Sequence, residues 1–280
     1  MKTLLILIFT VALSGCRTSG TGLNLISPQQ EASQGAQYAA QVEKEYKVMK
    51  DPVLQSYINN LGRKMVAQVE NPMFEYTFAV IDSSEVNAFA IPGGHMYVNL
   101  ALLKQAENEA ELVGVLGHEI GHVVHRHGTK RMTDAMLVQI AAAGTAIAVG
   151  NEKGGQYYGM GVMLLGQGGL LHYGRQAELE SDHTGVDILY RSGYDVNGLA
   201  SFFKKLQKLE EAHGAKRGGL SDLLRTHPPS ADRIKEAQAY IAKLPPQKKS
   251  IVSTPEFEAM KAYVAPMTPT PPAPPKKKTG

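Results

Sequence analysis

Apolar residues recur at helical spacing through the first third of the chain. Tyr38, Val42, Tyr46 and Met49, then Leu54, Ile58, Leu61, Met65 and Val69, lie on either side of a break at Asp51-Pro52, which predicts two amphipathic helices within residues 31–70. Phe74 to Ile81 alternates apolar and polar side chains as a half-buried strand does. Asn87-Ala88-Phe89-Ala90-Ile91 and His95-Met96-Tyr97-Val98 flank Pro92-Gly93-Gly94, the pattern of a hairpin. Residues 101–127 read as a helix, with Glu107, Glu109 and Glu111 early and His and Arg late, as the helix dipole favours, and with Gly128 as its stop. Residues 175–213 read as two helices joined at Ser192-Gly193-Tyr194-Asp195, and another helix starts near Ser230. The expected architecture is α+β, mainly helical with a small sheet, in one domain over residues 35–250.

Other stretches depart from this pattern. Residues 17–30 have tether composition, so 16–34 is expected to be a flexible lead into the domain. Residues 135–171 are rich in Ala, Gly, Met and Leu, interrupted by Asn151-Glu152-Lys153-Gly154-Gly155. They suit either a pair of core helices or a mobile apolar lid or membrane-contacting hairpin, and glycine interrupts them too often for a transmembrane helix. Beyond about residue 250, and clearly from 265, proline and lysine dominate, so 251–280 is expected to be an extended disordered tail.

Composition narrows the class of partner. The formal net charge of +3 on 280 residues is small and dispersed, and there is no Trp, so nucleic acid is not the expected partner. Cys16 is the only cysteine, which excludes an intramolecular disulfide. It follows a short positive start, Met1-Lys2, an apolar run from Leu4 to Leu13 too short to span a bilayer, and the small residues Ser14-Gly15. Leu13-Ser14-Gly15-Cys16 resembles the lipobox of bacterial lipoproteins. That resemblance implies a signal peptide over 1–15, a lipid on the Cys16 thiol and membrane attachment through it, which would also consume an otherwise unpaired exported thiol. Arg17 stands where Asp retains such lipoproteins at the inner membrane, so the expected location is the outer membrane of a Gram-negative bacterium, facing the periplasm.

The chemistry centres on His118-Glu119-Ile120-Gly121-His122. On a helix, positions i and i+4 share a face, so both imidazoles can converge on one metal ion, and Glu119 lies beside the ion's open position as a general base. Zinc held by three protein ligands brings the pKa of bound water to about 7, giving a nucleophile at neutral pH. A metzincin would need Gly at 125 and His at 128; the chain has His125 and Gly128, so the third ligand comes from elsewhere. Arg175-Gln176-Ala177-Glu178-Leu179-Glu180-Ser181-Asp182 offers Glu178 and Asp182 on one helical face: Glu178 could ligate zinc while Asp182 holds a ligand histidine through its second ring N–H. Glu180 is the rival, about 200° around the helix from Glu178.

At these residues the chain resembles the M48 family of zinc metallopeptidases, and within it the periplasmic lipoprotein-type members. The resemblance covers roughly residues 35–245. It rests on Asn87-Ala88-Phe89-Ala90-Ile91-Pro92-Gly93-Gly94, His118-Glu119-x-x-His122 followed by Arg126-His127, Arg175-x-x-Glu178-x-x-x-Asp182, Gly193-Tyr194-Asp195, and Thr226-His227-Pro228 followed by Arg233-Ile234. It departs from the usual form at Ser181, where Ala is common. It implies a zincin-like domain, one zinc ion on His118, His122 and Glu178, and Glu119 as catalytic base.

Several side chains carry two readings. His227, before Pro228-Pro229, could stabilise an oxyanion near zinc, sit as a fourth ligand that keeps an enzyme latent, or only cap a loop. Arg233 could support the same loop. His125 reads as a packed or capping residue, Arg126 and His127 as helix-end residues satisfying carbonyls, with a catalytic role as the second reading, and His172 and His183 as surface or cleft-wall residues. The strand through Asn87, Ala88 and Phe89 suits an edge on which an extended substrate pairs its backbone. The function expected is a zinc endopeptidase acting on unfolded or misassembled envelope proteins in quality control, with outer-membrane assembly machinery as a further candidate partner. The rivals are a non-proteolytic chaperone or assembly factor retaining the zinc fold, and a lipoprotein with a purely structural zinc.

Overall fold

A computed structural model describes residues 22–148, 173–213, 223, 226–228 and 230–271. Cys16 and its signal sequence, residues 149–171 of the apolar 135–171 stretch, His172 and the last nine residues lie outside the described residues. Two helices lead the domain, as the apolar spacing predicts. Helix α1 (Pro28–Glu45) opens on a capping box between Ser27 and Gln30, and α2 (Pro52–Val66) opens on Asp51, whose carboxylate accepts from Val53 and Leu54 N–H. Strands β1 (Thr77–Ile81), β2 (Ala88–Ile91) and β3 (His95–Asn99) form one sheet in the order β1-β3-β2, with β1 parallel and β2 antiparallel to β3. The β2–β3 turn uses Gly93 and Gly94 at φ 86° and 93°, a region open to glycine at little cost.

Residues 101–127 are not one helix. α3 (Leu100–Gln105) ends at Ala106, and α4 (Glu109–Val124) begins anew after Asn108, whose side-chain oxygen accepts from Glu111 N–H. A short Asx side chain offers the backbone a competing acceptor, which restarts a helix rather than continuing it. Gly128 is not the stop either. His125 caps α4, Arg126 turns the chain in the left-handed region at φ 56°, and Gly128 already lies inside α5 (His127–Ala148). There follow α6 (Arg175–Arg191), α7 (Gly198–His213), α8 (Ala231–Ile241), capped by Ser230, and α9 (Pro255–Val264). The core packs α2 and α4 against the sheet and α6 and α7 against α4, with Ile58, Val98, Leu112, Leu116, Leu189 and Phe202 at its centre.

Both ends of the domain lie further out than composition suggests. At the front, the chain is fixed from Asn24 onward. Asn24 Nδ2 donates to Thr129 Oγ1 at 2.8 Å, and Glu31, 1% exposed, accepts from Arg126 Nε at 2.7 Å and Thr129 Oγ1 at 2.9 Å. A lone charge in a polar stretch reads as solvated; here its partner sits 95 residues away. At the back, the expected tail over 251–280 is corrected as far as residue 271. Ile251 pairs with the chain at Gly193 and Asp195, and α9 buries Phe257, Met260 and Val264 in the main core. Lys261 donates to the carbonyls of Lys104 and Ala106 at the end of α3, while Lys104 donates to those of Val264 and Ala265 at the end of α9. Each helix thus has its C-terminal carbonyls satisfied by the other's lysine. Phe257→Ala is expected to cost about 3–5 kcal/mol in urea unfolding, since it empties a fully buried aromatic site; a cost near zero would return this segment to the tail.

Candidate metal centre

Helix α4 is buried from Glu109 to Val123. It lies against α6 closely because its contact ridge is glycine: a Cβ on Gly117 would stand 3.1 Å from Gly185 Cα, and one on Gly121 2.8 Å from Ser181 Cα. Gly114, Gly117 and Gly121 fall at i, i+3 and i+7, a stripe legible in the sequence but not recognised there as the seat of a second helix. Ser181, in place of the family's usual Ala, is still small enough for this contact and is fully buried. The short distance between the helix axes is what brings a carboxylate of α6 to the histidines of α4.

The donor atoms of His118, His122, Glu178 and His227 all lie within 4.8 Å of one another, and all four residues are buried. His118 Nε2 is 3.0 Å from His122 Nε2 and 3.2 Å from His227 Nδ1. Glu178 places Oε2 at 3.4 Å from His118 Nε2 and Oε1 at 3.6 Å from His122 Nε2. Tetrahedral bonds of 2.0–2.2 Å put ligand atoms about 3.3–3.6 Å apart, so this donor set has the spacing and the chemistry for one zinc ion. Glu180, the rival ligand, points elsewhere: its Oε2 lies 3.0 Å from His127 Nε2.

Around this set stands a second layer. Asp182 Oδ1 is 2.9 Å from His118 Nδ1, the outer contact by which metal-site carboxylates fix a ligand ring. Arg233, 4% exposed, binds Asp182 through Nε and Nη2 at 2.8 and 2.6 Å, and Glu178 through Nη1 at 2.7 Å. The same Nη1 donates to Pro228 O, so Arg233 also pins the turn that carries His227. Tyr173 stacks on the His122 ring with centroids 4.0 Å apart; nothing in the sequence before α6 marks it. His125 donates to or accepts from Thr184 Oγ1, and His183 stacks on Tyr240, so neither joins the cluster. Arg126 and His127 are not simple carbonyl caps, since both make long-range side-chain pairs.

The charges reflect this packing in the metal-free chain. Burial raises Glu119 above the usual carboxylate range, and His227 and His118 only partly oppose it. Burial, reinforced by the neighbouring His118 and His227, holds His122 well below an ordinary histidine. For His118 burial works downward, but Asp182 and Glu178 prevail and raise it to about 9. Burial opposes ionisation of Glu178 and Asp182 too, yet His227 and His118 for the first, and Arg233 and His118 for the second, hold both below the carboxylate range. His127 falls to about 4, chiefly through burial.

Glu119 sits beside the cluster with one oxygen, Oε1, buried and without a hydrogen-bond partner among the described residues, 3.4 Å from His227 Nε2. The Ala90 N–H of β2 faces its carboxylate. β2 is a sheet edge. Asn99 N–H bonds Asn87 O, so in this antiparallel pair Asn87, Phe89 and Ile91 turn their backbone groups to β3, and Ala88 and Ala90 turn theirs to the free edge. Of the three positions expected to receive substrate, Asn87, Ala88 and Phe89, Ala88 alone turns its backbone groups to that edge, and Phe89 also stacks on Tyr97 with centroids 5.2 Å apart.

The description "Peptidase family M48" matches residues 52–241. The chain is similar to the Beta-barrel assembly-enhancing protease of Escherichia coli (strain K12), 32% identical over 218 residues that make up 76% of this chain and 44% of that protein. It is also similar to the Metalloprotease LoiP of the same organism, 33% identical over 184 residues, 64% of this chain and 66% of that one. The chain thus spans less than half the length of the first of these relatives.

Proposed function

We propose, because this chain belongs to peptidase family M48, that it is a zinc-dependent endopeptidase. The observation that carries the proposal is the unpartnered Glu119 oxygen beside four converging donors. A purely structural zinc site has no use for a desolvated carboxylate with one oxygen that no hydrogen bond satisfies. His118, His122 and Glu178 would hold the ion, which when bound would supply Lewis acidity and bring the pKa of water to about 7. Glu119 accepts the water proton on its carboxylate and delivers it to the leaving amine. An extended substrate pairs its backbone with Ala88 and the Ala90 carbonyl on the outer edge of β2, so selection falls on unfolded chain more than on side chains.

His227 serves as a fourth donor in this arrangement, supported by its Nδ1 lying among the donor atoms.

The substrates are proposed to be unfolded or misassembled envelope proteins, with the chain anchored to the outer membrane through lipid on Cys16 and facing the periplasm. The Leu13-Ser14-Gly15-Cys16 sequence supports the anchor, and the relative named for β-barrel assembly supports the setting and an assembly machine as partner. Among the described residues no helix is long and apolar enough to cross a membrane. The test is casein digestion by the chain lacking residues 1–16. Cleavage abolished by a chelator and restored by zinc is expected; cleavage indifferent to chelator would overturn the metal reading.

A further inference from the structure

The two ligand imidazoles are supported differently from behind. His118 has the Asp182 carboxylate 2.9 Å from its Nδ1. His122 has a second imidazole there: its Nδ1 lies 3.0 Å from His127 Nδ1, and His127 Nε2 lies 3.0 Å from Glu180 Oε2. We infer that His127 is a positioning residue for the metal centre, joining His122 to the Glu180 carboxylate through its own ring; this rests on His122 holding zinc.

The direction of each hydrogen bond follows from the metal. His122 turns Nε2 into the donor cluster, so that nitrogen presents its lone pair and the ring hydrogen of neutral His122 sits on Nδ1. That N–H donates to His127 Nδ1. His127 then carries its hydrogen on Nε2 and donates it to Glu180. One tautomer of each ring satisfies the whole chain, and the opposite tautomer of His127 would set two N–H groups against each other. Ser181 Oγ, 3.4 Å from His127 Nδ1, is the longer and lesser contact.

The fold arranges this at some cost in backbone conformation. Arg126, held by Glu31 and by Ile26 O, adopts φ 56° and reverses the chain after α4. His127, five residues past His122, is thereby returned beside it. His125 stacks on His127 with planes 18° apart and fixes the ring's tilt.

A reason for the indirect route lies in charge. Glu119, Glu178 and Asp182 are already buried carboxylates near the ion, and Arg233 serves only the last two as an ion-pair partner. A further buried anion would be expensive. The imidazole of His127, 4% exposed, lets the fourth carboxylate stay at the rim, where the Glu180 side chain is 34% exposed.

The test is zinc affinity of the full chain, purified in detergent and stripped of metal, measured by competition with a chromogenic chelator. His127→Leu is expected to weaken zinc binding about 10–100-fold, the usual loss when an outer partner of a ligand histidine is removed. His127→Gln should restore most of it, because its amide oxygen accepts from His122 and its amide nitrogen donates to Glu180. Glu180→Ala, a change at the rim, should weaken binding measurably while leaving the metal-free melting temperature unchanged. Wild-type affinity in His127→Leu, or equal losses in the Leu and Gln variants, overturns the inference. Should His127→Leu fail to fold, unchanged affinity in Glu180→Ala overturns it instead. A wild-type chain that takes up no zinc would sink the metal centre itself, a result distinct from these.

Discussion

Glu119→Gln is expected to reduce casein cleavage by about 10²–10⁴-fold, the range for losing a general base, with bound zinc unchanged. The substitution keeps the size of the side chain and one acceptor oxygen but removes the ability to take a proton. Glu119 contributes no donor atom to the cluster, so metal content should not fall. Its position explains the size of the effect. Burial disfavours its charged form, and an anion that water and protein solvate poorly is a stronger proton acceptor. Metal analysis and turnover on one preparation check the result. Full activity in this variant would remove Glu119 from the chemistry; full biological function without turnover would favour the chaperone reading.

Arg233→Met is expected to destabilise the metal-free protein by about 3–5 kcal/mol, the cost of leaving one side of a buried ion pair uncompensated. Arg233 faces both Glu178 and Asp182, each 3% exposed, and shares them with His118, which these carboxylates raise to about 9. Methionine fills much of its volume, so the loss reports charge rather than a cavity. The pH dependence follows from the carboxylates. Asp182 ionises more readily in the folded chain than unfolded, so its contribution is present above the unfolded value of about 4 and is lost as pH falls through the lower folded value. The stability gap between wild type and variant should therefore narrow below about pH 4. A gap independent of pH would mean that Arg233 acts by packing alone. The variant should also lose zinc affinity, since Arg233 ties the His227 turn, Asp182 and Glu178 together.

How legible these features are depends on the distance over which each is encoded. The capped starts of α1, α2, α4 and α8 are local, because Ser27, Asp51, Asn108 and Ser230 each bond an N–H two or three residues ahead. The division of residues 101–127 into α3 and α4 was encoded just as locally, at Asn108, but a continuous apolar spacing ran across it. In α9 the spacing of Phe257, Met260 and Val264 was present too, after a Thr254-Pro255 start, and the proline-rich composition that follows hid it. Glu31 carries no signal in the sequence, and Glu180 reads there only as a rival metal ligand. Their roles depend on Arg126 and His127, 95 and 53 residues away, and no local pattern carries that information.

The sequence alone determined that one helical face would carry His118 and His122 with Glu119 beside them, because 3.6 residues per turn fixes that geometry without reference to the rest of the chain. It also placed two acidic candidates on a later helix, Glu178 and Glu180. Only the tertiary structure decided between them, and only it put His127, His227 and Arg233 around the same point. The physical reason is that helical periodicity is a property of neighbouring residues, whereas convergence of donors depends on how closely two helices approach. Here Gly117 and Gly121 against Gly185 and Ser181 set that approach, and so set which carboxylate reaches the histidines.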